Sequence, residues 1–489
     1  MVAMGQELTA RRKTIILATC CLSLLIVSMD VTILNVALPD IRRDLGASVS
    51  GLQWVIDIYT LTVASLLLLS GATADRFGRR RVFQIGLTVF AVGSLLCSLA
   101  TSVDMLIGAR FLQAIGGSML NPVAMSIITQ VFTGKQERAK AVGVWGAVVG
   151  ISMALGPIVG GVLIDTLRWQ SVFWINLPIC AAAIVLSAIY VPESKASTVR
   201  RLDPVGQVLG ILFMATIVSG LIEGPNMGWS DPRTLALFAV GIAGLVGFIA
   251  WELRHHTPFI DVRFFRSVPF STATVVGVMA FAAYGAFLFL MSSYLQNVRG
   301  YSAIHAGMLY LPIAVATLVF SPVSGRLVGR YGTRPSLLAA GPLLAAGSVL
   351  LTFLTPTTPV WQVIATFFVF GMGFAFVNAP ITTSAVSGMP RERAGAASAV
   401  ASTSRQLGVS LGVAISGSVA GSAIAASGVT FTDAIAPLWW ITAVFAVVIA
   451  ALGLISTTAW ADRTTQRIAY LFGDEATVPA ASAPVPERV

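Results

Sequence analysis

Apolar stretches long enough to cross a bilayer recur along the whole chain, and they constrain this sequence more than any other feature. About 18 to 20 consecutive apolar residues span the hydrocarbon as a helix. Fourteen such stretches are present, at 14–36, 53–72, 82–101, 106–130, 140–163, 171–191, 204–222, 234–253, 271–295, 304–326, 337–356, 361–386, 395–418 and 435–458. Strands do not compete, because backbone groups in lipid must be satisfied within each segment. Composition enters only as a check. Charged residues make up 11% of the 489, against about 25% in a soluble protein, and the mean hydropathy is +0.85. That excludes a soluble multidomain chain, a disordered one, a collagen and a disulfide scaffold. An all-α polytopic membrane protein remains.

A net charge of +10 would suit a nucleic-acid partner only if the basic residues shared one face. They follow the membrane instead. With the N-terminus inside, the inner segments hold Arg11, Arg12 and Lys13; Arg76, Arg79, Arg80 and Arg81; Lys135, Arg138 and Lys140; Lys195, Arg200 and Arg201; Arg254, Arg263 and Arg266; Arg326, Arg330 and Arg334; Arg391 and Arg393; Arg463, Arg467 and Arg488. These are 24 of the 31 basic residues. Five (Arg42, Arg43, Arg168, Arg233 and Arg299) fall outside, and two, Arg110 and Arg405, lie within spans. The positive-inside rule then puts both termini in the cytoplasm, with no nucleic-acid partner.

The first span lacks a small-x-small cleavage site, so it reads as a retained helix. Cys20, Cys21, Cys97 and Cys180 lie in apolar runs, where structural disulfides are not expected. No phosphate-binding G-x-x-x-x-G-K-[ST] loop occurs, and no water-exposed segment exceeds about 30 residues, so there is no room for an ATPase domain. No H-E-x-x-H helix occurs either, and no metal role falls to His255, His256 or His305. No nucleophile constellation stands out, so the chain is not expected to be an enzyme.

One internal repeat organises the spans. Ser70, Gly71, Arg76, Phe77, Gly78 and Arg80 close the second span, and Ser324, Gly325, Arg330, Tyr331, Gly332 and Arg334 close the tenth in the same register, 254 residues later. The offset predicts two parallel six-helix halves with two helices inserted between them, an architecture in which substrate binds near the midplane. The predicted organisation is a cytoplasmic N-terminus over 1–13, an N-terminal half over 14–191, inserted helices with their loops over 192–270, a C-terminal half over 271–458 and a cytoplasmic tail over 459–489.

Intramembrane charges are the candidate functional residues. A carboxylate in lipid is costly and marks function by default. Asp30 lies in the outer half of the first span, and burial would let it bind and release a proton in the working range. Arg110 is expected at a similar depth in the fourth span, with Gln113 one turn on, and together they could gate proton release from Asp30. A fixed structural pair is the plainer alternative. Asp57, in Trp54-Val55-Ile56-Asp57-Ile58-Tyr59, reads as a less buried acid of the outer vestibule. Arg405 sits mid-membrane with no acid at a matching depth in the last four spans. A carbonyl cluster, a bound anion or an acid elsewhere would each serve as its partner.

In the loop after the second span, Gly71 and Gly78 allow tight backbone, and Asp75 can accept hydrogen bonds at the start of the next helix. With Arg76, Arg79 and Arg80 it reads as a cytoplasmic latch, or more simply as a positive-inside anchor. The fifth span carries Gly146, Gly150, Gly156, Pro157, Gly160 and Gly161. Glycines three and four apart let another helix approach closely, and Pro157 adds a bend. Aromatic faces suit planar cations, which makes Trp54, Tyr59, Tyr284 and Phe287, with Asn378, candidates for a binding cavity shared with Asp30 and Asp57. Glu223 and Glu252 read as interfacial.

These motifs resemble the major facilitator superfamily, specifically its fourteen-helix drug:proton antiporter branch. Gly71 to Arg80 is similar to the superfamily loop signature, with Thr73 where leucine is commoner. Met29 to Pro39 resembles the first-helix signature of that branch, Arg110 to Gly117 its fourth-helix motif, and Gly146 to Gly161 the antiporter motif of the fifth helix. Arg168, Trp169, Phe173, Asn176 and Pro178 fit the start of helix six. In the second loop copy Gly329 replaces the acid. The resemblance implies two six-helix halves plus two inserted helices and exchange rather than uptake. It further implies proton-coupled efflux of lipophilic, often cationic compounds by a monomer in the cytoplasmic membrane, with the proton gradient as energy source and no cofactor. It raises interest in Asp57, because quaternary-ammonium exporters carry an acid in this segment. Alternatives are a dedicated exporter of one metabolite or self-made antibiotic, and a membrane sensor without transport.

Overall fold

The computed structural model describes residues 9–195, 203–255, 260–387, 389, 394–424 and 429–471. Among these residues every regular element is helical. The helices are α1 (Ala10–Leu45), α2 (Val49–Phe77), α3 (Arg79–Ser98), α4 (Val103–Val131), α5 (Lys135–Thr166), α6 (Ser171–Tyr190), α7 (Pro204–Met227), α8 (Pro232–Arg254), α9 (Val268–Ser293), α10 (Ala303–Tyr331), α11 (Arg334–Thr352), α12 (Val360–Val386), α13 (Ala394–Ile424), α14 (Val429–Ile455) and α15 (Ala459–Leu471). Among the described residues twelve helices are long and apolar enough to cross a membrane, namely the first fourteen without α5 and α13. Those two have 32 and 31 residues, so fourteen spans remain compatible with the fold. Arg200, Arg201, His256, Arg391, Arg393 and Arg488 lie outside the described residues.

Helix ends differ from the sequence reading where polar residues continue a helix beyond the lipid. At 36 residues, α1 is about 54 Å long at 1.5 Å per residue, well beyond a hydrocarbon core of about 30 Å. Its two ends therefore stand in water and carry Arg11, Arg12 and Lys13 at one and Arg42 and Arg43 at the other. Gly46, with φ 62°, stops it in a left-handed cap. Breaks in α6, α10 and α12, at Ile175, Tyr310 and Phe376–Val377, each precede a proline (Pro178, Pro312, Pro380) that has no N–H to continue the ladder. The tail does not begin as a free segment. It starts with α15, whose Thr464 hydroxyl accepts from the Val268 amide at 3.0 Å and whose Ala461 and Ile468 are buried.

Close helix contacts are made by glycine. A Cβ on Gly93 (α3) would lie 2.5 Å from the Gln113 backbone (α4), and one on Gly116 would strike the Phe90 backbone. The second half repeats this packing. A Cβ on Gly347 (α11) would lie 2.7 Å from Phe370 Cα (α12), and one on Gly373 would strike the Leu344 backbone. Gly347 and Leu344 stand 254 residues after Gly93 and Phe90, while Phe370 and Gly373 stand 257 after Gln113 and Gly116. Ser70 of α2 meets Ser118 of α4 at 3.0 Å, whereas Ser324 of α10, 254 residues later, meets Ser336 of α11 at 2.6 Å.

Helix α7 pairs with α8 and packs on both α2 and α13. Gln207 Nε2 donates to the Ser65 carbonyl at 2.5 Å, and Ser418 Oγ to the Leu221 carbonyl at 2.5 Å. At the end away from the Asp75 loop, α1 and α5 meet α9 and α10. There Ser292 Oγ donates to the Asn35 carbonyl at 2.5 Å and Gln296 Nε2 to the Val36 carbonyl at 2.9 Å. Asp165 accepts from the amides of Ala303 and Ile304 at 3.1 and 2.9 Å. This end of the bundle is closed.

Candidate functional site

Asp30, Arg110 and Gln113 converge between α1 and α4. Arg110 Nη1 donates to Asp30 Oδ2 at 2.5 Å and to Gln113 Oε1 at 2.7 Å, and Gln113 Nε2 donates to Asp30 Oδ1 at 2.8 Å. All three side chains are at most 1% exposed. The spacing of three between Arg110 and Gln113 sets both on one face of α4. That face meets Asp30 because Gly93 lets α3 press against the α4 backbone at Gln113.

Two further residues complete the network, and the sequence did not single them out for it. Ser94 accepts from Gln113 Nε2 at 2.8 Å and from Asn176 Nδ2 at 3.2 Å, and Asn176 Nδ2 also reaches Asp30 Oδ1 at 3.4 Å. Asn176 had been noted only within the pattern opening the sixth span, and a serine inside an apolar helix gives no signal. The guanidinium is also held by the Val55 carbonyl at 3.2 Å and lies 4.3 Å over the Tyr59 ring. Tyr59 is thus a wall of this ionic site, with its hydroxyl unpartnered in the described structure. A carboxylate with so many donors and one buried cation is held as an ion pair.

Asp57 departs from the expected vestibule position. It is fully buried, because α13 lies over the α2 face that carries it. Neither carboxylate oxygen meets a hydrogen-bond partner, with Ser410 of α13 and Thr60 as its polar neighbours. One turn earlier, Gln53 Nε2 donates to the Val413 and Ala414 carbonyls at 3.0 and 2.9 Å. Asp57 therefore sits where the two halves meet. Trp54 turns the other way, its indole N–H donating to Glu223 of α7 at 2.7 Å, so Glu223 is a helix-to-helix partner.

The aromatic candidates of α9 are packed. Tyr284 stacks on Phe374 at 4.4 Å, and Phe287 lies 4.7 and 4.8 Å from Phe367 and Phe370. Phe287, Phe367 and Phe370 stand 257 residues after Asp30, Arg110 and Gln113 respectively. An aromatic triad thus occupies, in the second half, the positions of the ionic triad in the first. Asn378 opens the second segment of α12, and its carbonyl accepts from Thr382 Oγ1 at 3.2 Å. Arg405 donates from Nη2 to Thr382 Oγ1 at 2.8 Å and lies 5.9 Å over the Phe281 ring.

At the end that carries the Asp75 loop, Gly78 has φ 113°, a conformation open to glycine. Arg79 Nε and Nη2 donate to Asp75 Oδ1 at 3.2 and 3.0 Å, and its Nη1 to Gln130 at 2.9 Å. The start of α3 is served by Glu193 and not by Asp75 as the sequence suggested. Glu193 Oε1 accepts from the Arg80 amide at 3.2 Å, and Oε2 lies 3.9 and 3.8 Å from Arg80 and Arg81. Gly71 rests against Pro122, and Arg76 over the Phe77 ring. Among the described residues, the partners of this loop are Gln130 and Pro122 of the first half and Glu193 just after it.

In α5, a Cβ on Gly156 would strike the Thr32 hydroxyl, and one on Gly160 would lie 2.7 Å from Ile33 Cγ1. A Cβ on Gly161 would strike the Ala303 carbonyl of α10, and Gly307 rests on the Pro157 carbonyl. The helix thus seals against α1 on one face and against the second half on another. Gly146 and Gly150 belong to α5, and their surroundings lie outside the described structure.

Repeated helical halves, a bundle closed at the end away from the Asp75 loop and a buried ion pair define a multi-pass membrane carrier. A family model described as Major Facilitator Superfamily matches residues 20–413, and the chain belongs to that superfamily. It is 37% identical over 399 residues to the Multidrug resistance protein Stp of Mycobacterium tuberculosis, covering 81% of this chain and 74% of the relative. It is 33% identical over 414 residues to the Methylenomycin A resistance protein of Bacillus subtilis, covering 84% and 88%. Among solved structures, a bacterial homologue of the human lysosomal transporter Spinster, inward-facing and unoccupied, superposes with a TM-score of 0.63. The identity there is 17%, with 94% of this chain and 98% of that chain covered.

Proposed function

We propose that this protein exports lipophilic drugs across the cytoplasmic membrane in exchange for protons, with both termini cytoplasmic. The buried Asp30–Arg110–Gln113 network carries the proposal. A proton reaching Asp30 removes the charge that Arg110 faces, and leaves a buried guanidinium over Tyr59 with only neutral partners. Losing one partner of a buried pair costs about 3–5 kcal/mol, enough to favour another arrangement of the halves. The closed end away from the Asp75 loop, and a loop whose partners lie in the first half or at Glu193 just after it, support an inward-facing state that receives cargo from the cytoplasm or the inner leaflet. Asp57, buried and unpartnered at the meeting of the halves, gives a cationic cargo its counter-charge. Names of relatives such as Stp support drugs as the cargo class. A potential of 100 mV supplies about 2.3 kcal/mol per charge moved, nearly two decades of concentration ratio.

The test is dye exchange in inverted vesicles under an imposed pH gradient. Wild type is expected to exchange dye for protons, Asp30→Asn to lose exchange, and Asp57→Asn to lose cationic dyes preferentially. Exchange surviving in Asp30→Asn overturns the coupling assignment.

A further inference from the structure

Arg405 lies within the apolar part of the chain, yet among the described residues no carboxylate comes within ion-pairing distance of it. Its partners among the described residues are a threonine hydroxyl and the face of Phe281, and its Nε is buried with no partner. The helix around it is already committed on other faces. Thr403 donates to the Ala64 carbonyl of α2, Ser404 and Gly408 press on α9 at Gly277 and Val278, and Ser418 bonds α7. Arg405 projects from the remaining face toward α12, where Thr382 is exposed. A guanidinium is a planar fork of five donors. Here one donor is used on the Thr382 hydroxyl, whose own proton goes to the Asn378 carbonyl, so Thr382 aims the fork and a ligand is met by the remaining guanidinium donors. An ionised group in this setting is expensive unless something of opposite charge visits it.

We propose that Arg405 and Thr382 form a subsite for an anionic group, a carboxylate or sulfonate, on the transported compound. The inference deepens the export reading and rests on it. On the export reading, cargo then meets two unlike charges, Asp57 in the first half and Arg405 in the second. Cargo carrying both charges is held better than a simple cation, and the subsite disfavours a cationic end placed against it. A phospholipid headgroup has the same chemistry and is the rival source.

The test uses a rhodamine free acid and its methyl ester, which differ only in the carboxylate. Binding to the purified full chain is measured without any gradient, in vesicles of phosphatidylcholine alone and with added phosphatidylglycerol. Wild type is expected to prefer the free acid. Arg405→Gln should weaken the free acid about tenfold, roughly 1.4 kcal/mol, and leave the ester within about twofold, in both lipids. Arg405→Lys and Thr382→Val, which keep the helix charge or its shape, should give intermediate losses for the acid alone. Equal loss of both dyes, or loss of neither, overturns the subsite. So does an Arg405→Gln effect that vanishes when phosphatidylglycerol is omitted, since that assigns the site to lipid. A wild type that binds the acid through Arg405 yet exchanges no dye for protons sinks the export reading and leaves the subsite standing.

Discussion

At the residue scale, a single charge pair sets the chemistry. Arg110→Ala is expected to abolish proton-coupled efflux, because Asp30 then keeps only neutral donors in Gln113 and Asn176. It should also lower stability by about 3–5 kcal/mol, less whatever Asp30 recovers by taking up a proton. Efflux in vesicles and thermal unfolding in detergent check the two parts, and full drug resistance in that variant would sink the assignment. Asp30, Arg110 and Gln113 were legible in the sequence because a charge inside an apolar run has no ordinary reason to be there. Ser94 was not, since a small hydroxyl can bond its own helix carbonyl and needs no partner. The full burial of Asp57 is not legible in the sequence. Depth along a helix can be counted from its end, whereas lateral cover by α13 depends on a helix more than 300 residues away.

At the element scale, glycine spacing decides how near the helices come. Gly93→Ala places a Cβ 2.5 Å from the Gln113 backbone, so α3 and α4 must part, at about 1–3 kcal/mol for overpacking. Because the shift moves Gln113, coupling should fall as well. Gly347→Ala, against Phe370, should cost similar stability and leave coupling intact, and Gly108→Ala, with open space around it, should change neither. Thermal midpoints and proton-driven flux of the three variants make the comparison. Equal loss of coupling in the first two would break the link from packing to site. Helix existence was readable from apolar length alone, but helix ends were not. Polar residues continue α1 and α5 into water without changing the backbone geometry, and α15 needs the start of α9 to bury Ala461 and Ile468.

At the scale of the whole molecule, the halves are joined, at the end away from the Asp75 loop, through Asp165 and the amides of Ala303 and Ile304. Cysteines at Asp165 and Ile304 should cross-link readily, since the four native cysteines are buried and free. The bond should stop flux and reduction should restore it. Flux that continues through an oxidised bridge would refute rocking about this contact. The two-half plan was visible in the loop repeat, and the packing at Gly93 and Gly347 carries it into the membrane. What no alignment of loops could give is the fate of the second triad, because phenylalanine at 287, 367 and 370 reads as ordinary lipid-phase residue. That substitution has a consequence for how such a chain can change over generations. On the proposed mechanism, mutations among the three buried rings alter packing, while the matching mutations among Asp30, Arg110 and Gln113 would remove the coupling. The proposal therefore expects inherited variation to be tolerated more readily at these three positions of the second half than at their counterparts in the first.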